Sequence, residues 1–386
     1  MRKSNRQWNQ GMLSETPFAM RRQKATYSLE IKTSAKKVFE QACQAGQPGW
    51  ISQEIESLVE PNDAKKGNMT TWYENETAET LFRNRELPTY WTTTLFDPVN
   101  YQYQAVMINP DLAIGTFVFD IIERGRITVV SFDLTYTVLS ETGSVLFDDE
   151  IELRMQLLLE RFGQNVRNSI RAGSTAQVKA VSSWKQSRIV EHETVIDGEI
   201  DDIFALVCPV AELLWIDDWK FNLVYSESGK NETGCIFSEA STATGIMHLP
   251  GVKNHWYTTR YDCENHQFHA IWTTRNLCIA HWEFSLTDLG NGNTRANWKL
   301  RYTALEVQGS DIIKESDFEL RMKGALVFLA TSLKQYVENQ TIFRIPLLRK
   351  LKIIASVIGA SLTRHFRRGH AQSSKRIMGR TKLRLE

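Results

Sequence analysis

The sequence predicts an α+β fold built twice in tandem, each copy a curved antiparallel sheet wrapped around a long C-terminal helix. Three observations predict it. Residues 27 to about 170 recur at 192 to about 338, at an offset of 165 that widens to 166 and then 167. Each copy is rich in strand-length runs punctuated by Gly and Pro. Each copy closes on a long stripe of apolar residues three or four apart.

The register of the repeat is carried by named pairs. Phe39, Cys43 and Trp50 match Phe204, Cys208 and Trp215; Trp91, Thr93, Thr94 and Asp97 match Trp256, Thr258, Thr259 and Asp262. Gln102, Ala105 and Leu112 match Gln267, Ala270 and Leu277. Farther on, Leu134, Tyr136, Thr137 and Leu139 match Leu300, Tyr302, Thr303 and Leu305, and Glu152–Met155 matches Glu319–Met322. The period is too long for a solenoid and long enough for each copy to bury its own core. The expected layout is a basic arm over 1–24, a first domain over 25–170, a linker over 171–191, a second domain over 192–340 and a basic tail over 341–386.

In the first copy, Tyr27–Ile31 alternates as a strand, and Ser34 is placed to cap a helix carrying Val38, Phe39 and Cys43. A second short helix is expected over 52–59. Strands are expected over 69–74, 77–83, 89–96, 101–109, 113–123 and 126–139, the last two joined by a hairpin at Glu123-Arg124-Gly125-Arg126. The closing helix carries Phe147, Ile151, Met155, Leu158, Phe162 and Val166. The second copy repeats the plan. A strand over 193–197 leads to a helix over 201–214, then to strands near 220–227, 234–243, 254–262, 266–274, 278–288 and 293–307. Its closing helix, expected over 311–338, carries Phe318, Met322, Leu326, Leu329, Leu333 and Val337.

This plan, with Gly198-Glu199-Ile200-Asp201-Asp202-Ile203-Phe204, Cys208-Pro209-Val210-Ala211-Glu212, Trp215, Trp219, Gly234-Cys235-Ile236-Phe237 and Trp256, resembles the START-like superfamily, the polyketide-cyclase/dehydrase and lipid-transport group. The first copy echoes it more weakly, through Ala35-Lys36-Lys37-Val38-Phe39 and Trp50. The resemblance implies a helix-grip fold around a hydrophobic cavity. It implies no single reaction, because its motifs belong to the scaffold.

Charge is partitioned sharply. Residues 1–24 carry six Lys/Arg and residues 344–386 carry twelve, each against a single Glu; between them lie 28 Lys/Arg and 43 Asp/Glu, a net of −15. That acidic body disfavours a nucleic-acid binder. Five cysteines without paired spacing argue against a disulfide framework and against a zinc site, and no metal or cofactor is expected. With no signal-peptide pattern at 1–11 and no uncharged apolar run of spanning length, a cytoplasmic location is expected, with possible contact at the inner membrane face.

The candidate site follows from strand alternation. Trp256, Trp272, Trp282, Phe284, Trp298 and Tyr302 in the second copy, and Phe117, Phe119, Phe132 and Tyr136 in the first, either fill cores or line cavities for a lipid-like or polycyclic molecule. Binding or carriage of such a molecule is the leading expectation. Its rivals are a cyclase- or dehydratase-like enzyme in the second domain and an adaptor with collapsed cavities. None of the eight histidines lies in the first copy and six lie at 192–281, so His255, His269 and Arg275 are the candidate catalytic groups, expected to converge on the second cavity. In the tail, Leu347, Leu351, Ile354, Ile358, Leu362 and Phe366 form an apolar stripe flanked by Arg349 and Lys350. It suits an anionic membrane surface, a protein partner, or the acidic body itself.

Overall fold

The computed structural model describes residues 21–43, 54–59, 71–84, 86–173, 179–182, 186–217, 219–229, 231–240, 245–247, 249 and 251–344, with backbone alone for 54–59 and 179–182. The first sheet is laid out in chain order by β1 (Arg22–Ile31), β2 (Glu54–Val59), β3 (Thr71–Glu74), β4 (Thr89–Asp97), β5 (Gln102–Asn109), β6 (Ala113–Arg124), β7 (Ile127–Val138) and β8 (Lys179–Ser182). Its spatial order is β1-β7-β6-β5-β4-β3-β2-β8, antiparallel except where β8 runs parallel to β2. The helices are α1 (Ala35–Ala42), α2 (Glu76–Phe82), α3 (Glu141–Leu146) and α4 (Ile151–Ala172). Ser34 caps α1 by accepting from the Lys37 amide, and Arg124 faces Ile127 across the hairpin, both as expected.

Two segments take the opposite state to the one their sequence predicts. Residues 54–59 form a strand, because pairing to β3 on one edge and β8 on the other supplies ladder bonds to both sides of it. Residues 76–82 form α2: the Glu74 carboxylate accepts the Thr77 amide at the start of the helix, and Ala78, Leu81 and Phe82 bury one helical face. The stretch 171–191, expected as a linker, carries β8 and the start of the second domain's first strand.

The second sheet uses β9 (Ser187–Asp197), β10 (Asn222–Tyr225), β11 (Ile236–Ala240), β12 (Lys253–Asp262), β13 (Gln267–Thr274), β14 (Cys278–Gly290) and β15 (Asn293–Ala304), in the order β10-β11-β12-β13-β14-β15-β9. Its helices are α5 (Ile200–Phe204), α6 (Pro209–Glu212), α7 (Val307–Ile313) and α8 (Phe318–Asn339). The expected helix over 201–214 is broken in two, with Pro209 starting the second piece and Cys208 Sγ accepting the Ala211 amide. The expected closing helix is likewise split into α7 and α8, as its counterpart is split into α3 and α4. Gly143 and Gly309 occupy matching places in α3 and α7, where an added Cβ would lie 2.1 Å from Leu112 O and 1.9 Å from Leu277 O. Only a glycine fits there.

Each long helix lies along the concave face of its own sheet, and two separate cores result. A third cluster joins them through the outer faces. Tyr90, Val106, Ile108, Ile114 and Leu139 of the first domain meet Val224, Ile236, Tyr257, Ile271, Ile279 and Leu305 of the second. Val106 and Ile271, Ile114 and Ile279, and Leu139 and Leu305 are repeat equivalents, so both copies offer the same patch, as in an isologous dimer. Arg22 crosses this seam. It donates to Thr137 Oγ1 at 2.8 Å and to Gly234 O at 2.9 Å, and its guanidinium sits 3.3 Å from the Tyr225 ring centroid. The end of the expected basic arm is therefore a tie between domains.

Candidate functional site

Residues directly opposite in an antiparallel ladder share a face, so the register spells out what each concave face presents. In the second domain one row reads Phe237, Trp256, Trp272, Ala280, Tyr302. Its first-domain equivalent reads Trp72, Trp91, Met107, Gly115, Tyr136. The adjoining row ends in a carboxylate in both: Glu239 beside Asn254 and Thr274, and Glu74 beside Thr89 and Asn109. The two faces are filled differently. Trp91, Phe117, Phe119, Phe132 and Tyr136 are fully buried and pack ring on ring, with Phe117 5.8 Å from Phe162 and Phe119 5.3 Å from Phe132. At Gly115 an added Cβ would strike Tyr136 and Met107 at 2.8 Å, so even the floor of that domain is closed.

The second face is less complete. Trp256 is half-buried and Trp282 keeps 8 % of its surface, where Trp91 and Phe117 keep none. Trp256 stacks on Trp272 at 4.0 Å and on Phe237 at 5.3 Å, and Trp272 meets Tyr302 edge-on at 5.5 Å. Deeper in, Trp298 packs against Phe284 at 4.5 Å and Trp282 at 5.6 Å. The indole nitrogens of Trp256 and Trp298 are buried without a regular hydrogen bond. The aromatic residues singled out in the sequence gather in the core of their own domain, fully buried in the first, with Trp256 and Trp282 less buried in the second.

The carboxylates show the same divergence. Glu74 is tied off: Trp91 Nε1 donates to Oε1 at 2.8 Å and the Thr77 amide to Oε2 at 2.9 Å. Glu239 takes Asn254 Nδ2 at 3.1 Å, with Asn254 in turn accepting from Thr274 Oγ1 at 2.8 Å, while the Trp256 indole leans toward it without closing a bond. Burial pushes the Glu239 carboxyl up to about 7. Burial, and then the nearby Glu239 charge, pushes Glu212 on α6 up to about 8. Both residues are half-buried. The Glu212 position in the first copy is Gln47.

Arg321 completes the group. Its equivalent, Arg154, spends its donors on Leu81 O at 2.7 Å, at the end of α2, and on Asp148 at 2.6 Å. Arg321 Nη2 binds Glu315 at 2.5 Å and Asp317 at 3.3 Å, but Nε and Nη1 are buried with no hydrogen-bond partner. Its side chain is 10 % exposed. Tyr302 lies within reach of both charges: burial and Cys278 raise its hydroxyl, Glu239 adds to that, and Trp272 and Arg321 oppose it. Glu239, Trp256 and Tyr302 share the second concave face, and Arg321 reaches it through Phe318, whose ring lies 5.2 Å from the guanidinium and 5.5 Å from Tyr302.

The catalytic trio expected from the sequence does not converge there. His255 alternates with Trp256 on β12 and so points outward into the seam, where Nε2 lies 3.5 Å from Asp111 Oδ1 of the first domain. Arg275 is exposed in the β13–β14 turn, and its charge joins those of His255 and Lys253 in holding the Asp111 carboxyl below its usual range, the His255 hydrogen bond contributing most. His269, opposite Glu283, lies on the convex face in an open groove of about 650 Å³ bordered by Glu191, Glu193, Glu283 and Lys299. Burial, then Arg260, lowers it to about 4. The physical reason is parity: residues 255, 269 and 281 fall on the outward phase of strands whose inward phase is 256, 270 and 282. Glu74 and Glu239 stand at the same offset of 165 as the tryptophans they face, but a lone glutamate on a short strand gives no sign of facing inward.

Among the described residues no group of three or more His, Cys, Asp or Glu is placed to hold a metal, the five cysteines are unpaired, and no helix is long and apolar enough to cross a membrane. Leu347, Leu351, Ile354, Ile358, Leu362, Phe366, Arg349 and Lys350 lie outside the described residues.

No protein-family profile and no curated protein sequence matches the chain. Solved structures do. The di-domain ARO/CYC BexL from the BE-7585A biosynthetic pathway is similar at 12% identity over 84% of this chain and 100% of its own, with a TM-score of 0.31. The di-domain ARO/CYC StfQ from the steffimycin biosynthetic pathway is similar at 11% identity over 82% of this chain and 99% of its own, with a TM-score of 0.34. Norcoclaurine synthase from Thalictrum flavum matches 40% of this chain and 87% of its own at 14% identity and a TM-score of 0.31. These likenesses are loose, and the tandem helix-grip architecture stands on the strand orders and the two covering helices.

Proposed function

We propose that this tandem pair of helix-grip domains binds an apolar, ring-bearing small molecule on the concave face of its second domain, with the first domain serving as a filled scaffold. One observation carries the reading. Arg154 of the first domain is satisfied by Leu81 O and Asp148 and Trp91 closes on Glu74 at 2.8 Å, whereas the equivalent Arg321 keeps Nε and Nη1 buried and unsatisfied and Trp256 only leans toward Glu239. A buried donor without an acceptor costs about 1–3 kcal/mol. A ligand oxygen arriving among stacked indoles recovers that cost and adds ring contacts of about 0.5–1.5 kcal/mol each. Arg321 Nε and Nη1 are the unpartnered donors of this wall, so the favoured ligand presents an oxygen acceptor on an apolar frame.

Denaturing extraction of the purified protein followed by mass spectrometry, together with tryptophan-quenching titrations using α-tetralone, tests this. Binding is expected to be saturable and to weaken about tenfold or more in Arg321→Met, with Arg154→Met leaving the affinity of the folded protein unchanged. Absence of any extracted apolar molecule together with absence of saturable quenching overturns the reading.

A further inference from the structure

We propose that the outward face of α8 is the seat of this chain's own C-terminal segment, residues 345–358, packed on it as an antiparallel helix. A helix that covers a sheet needs one apolar face, the one turned to the sheet, and a polar face opposite. On α4 the outward line runs Leu153, Leu157, Glu160, Gln164, polar over its second half. The equivalent line on α8 reads Leu320, Gly324, Val327, Thr331 and carries no charge. Its flanking charges, Glu319 and Lys323, are spent on each other at 2.8 Å. Leu320 is 71 % exposed and Val327 46 %, and a Cβ added at Gly324 meets nothing within 4 Å. A glycine inside a helix weakens it; here it leaves a notch between two apolar side chains, into which a second helix can set its own.

The chain is already turned toward this face. Gln340 ends α8 in the left-handed conformation, at a φ of 55°, and reverses the path. Phe343 then lies 6.0 Å from Phe328, about three turns back along the helix. It is fixed there by a bridge to Ile216, and Arg344 lies 3.8 Å from Asp217. Gly324 is the next residue on that side of α8, one turn nearer its start. The first domain fills the same flank from elsewhere: Arg161, the equivalent of Phe328, donates to Thr80 Oγ1 of α2 at 3.1 Å. The sequence after Arg344 fits the seat. Pro346 suits the first turn of a helix, and Leu347, Leu351 and Ile354 recur at helical spacing. Leu347 to Ile354 covers the same number of positions as Leu320 to Val327, about 10 Å in each helix. Arg349 and Lys352 fall on the opposite side of that segment, where water solvates them. Two antiparallel helices on a short turn result, and the apolar stripe of the tail is spent on its own chain.

Limited trypsin digestion of the full chain, with cleavage after Arg349, Lys350 and Lys352 followed by mass spectrometry, tests whether the segment is held. Wild-type protein is expected to be cut there at least about tenfold more slowly than the Leu320→Asp/Val327→Asp double variant, because the site must open before it is cut. Leu153→Asp, at the equivalent place on α4, is expected to be cut as wild type is. If the double variant fails to fold by near-ultraviolet circular dichroism, a cross-link answers the same question. In a Cys263→Ser background, Gly324→Cys with Leu351→Cys is expected to close an intrachain disulfide on mild oxidation of dilute protein, and Leu157→Cys with Leu351→Cys is not. Equal cleavage of wild type and the double variant overturns the proposal, as does cross-linking no better at Gly324 than at Leu157. A dimer by light scattering that Leu320→Asp splits gives the face to a second copy instead. Flotation of wild-type protein with phosphatidylserine vesicles that Leu351→Asp abolishes gives the segment to the membrane, and either result overturns it too.

Discussion

A glutamate held neutral inside a protein makes stability depend on pH with a definite sign. Glu212 and Glu239 have folded-state values of about 8 and about 7 against an ordinary 4.5, so the folded chain binds their protons more tightly than the unfolded chain does. Their contribution is intact below about pH 4.5 and is lost as pH rises through 7 to 8. Urea titrations should show wild-type stability falling between pH 5.5 and 8.5, and Glu212→Gln should flatten that fall, leaving the variant more stable at pH 8.5 by on the order of 2 kcal/mol. A wild-type profile that rises over the interval contradicts the burial of the pair. His281 works in the other direction. Burial, then Arg301, lowers it to about 3, so its neutral form is favoured in the fold and stability is lost as pH falls from about 6.5 toward 3. His281→Leu should remove part of the acid-side loss. These residues also mark what the sequence hid. The repeat displayed Glu239 as the partner of Glu74, yet a lone glutamate on a short strand reads as solvated, and only the ladder register turns it inward.

At the scale of elements, the copies agree where the backbone is constrained and part where side chains do the work. The alternating strands and the two long helices were legible because their periodicity and their burial coincide, from Met155 and Phe162 in α4 to Met322 and Leu333 in α8. α2 was not legible: its seven residues, Glu76–Phe82, are too few to show a period, and its start depends on Glu74, which lies outside it. Yet α2 closes the first domain. Phe82 lies 5.8 Å from Tyr136 and 5.9 Å from Phe147, and Leu81 supplies the acceptor for Arg154. Phe82→Ala should cost about 3–5 kcal/mol, seen as a lower urea midpoint, and should leave ketone quenching in the second domain unchanged. A loss below about 1 kcal/mol would show that α2 does not hold that core. Gly309→Ala should be harsher than a helix-interior Gly→Ala normally is, since its methyl meets the Leu277 carbonyl rather than solvent.

The whole molecule is joined back to back, which the hydrophobic pattern concealed. Outward positions such as Ile114, Ile271 and Ile279 break the inside–outside alternation, and in a single sheet that looks like noise; only a second sheet gives them a purpose. The seam combines that apolar patch with Arg22 bonded to Thr137 and Gly234, and with Asp111 facing His255, so each domain presents both hydrophobic and polar contacts to the other. Coupling of this kind makes unfolding of one domain expose apolar surface on the other, and calorimetry of the wild-type chain should therefore show one cooperative transition. Ile279 is fully buried in the seam and points away from the second domain's own core. Ile279→Asp places a charge between the sheets at a cost above about 3 kcal/mol, while leaving both concave faces untouched. The expected outcome is two resolved transitions, the one reporting on the second domain still shifted upward by α-tetralone. If the variant instead melts in a single transition that the ketone shifts as in wild type, the domains are coupled by something other than this patch.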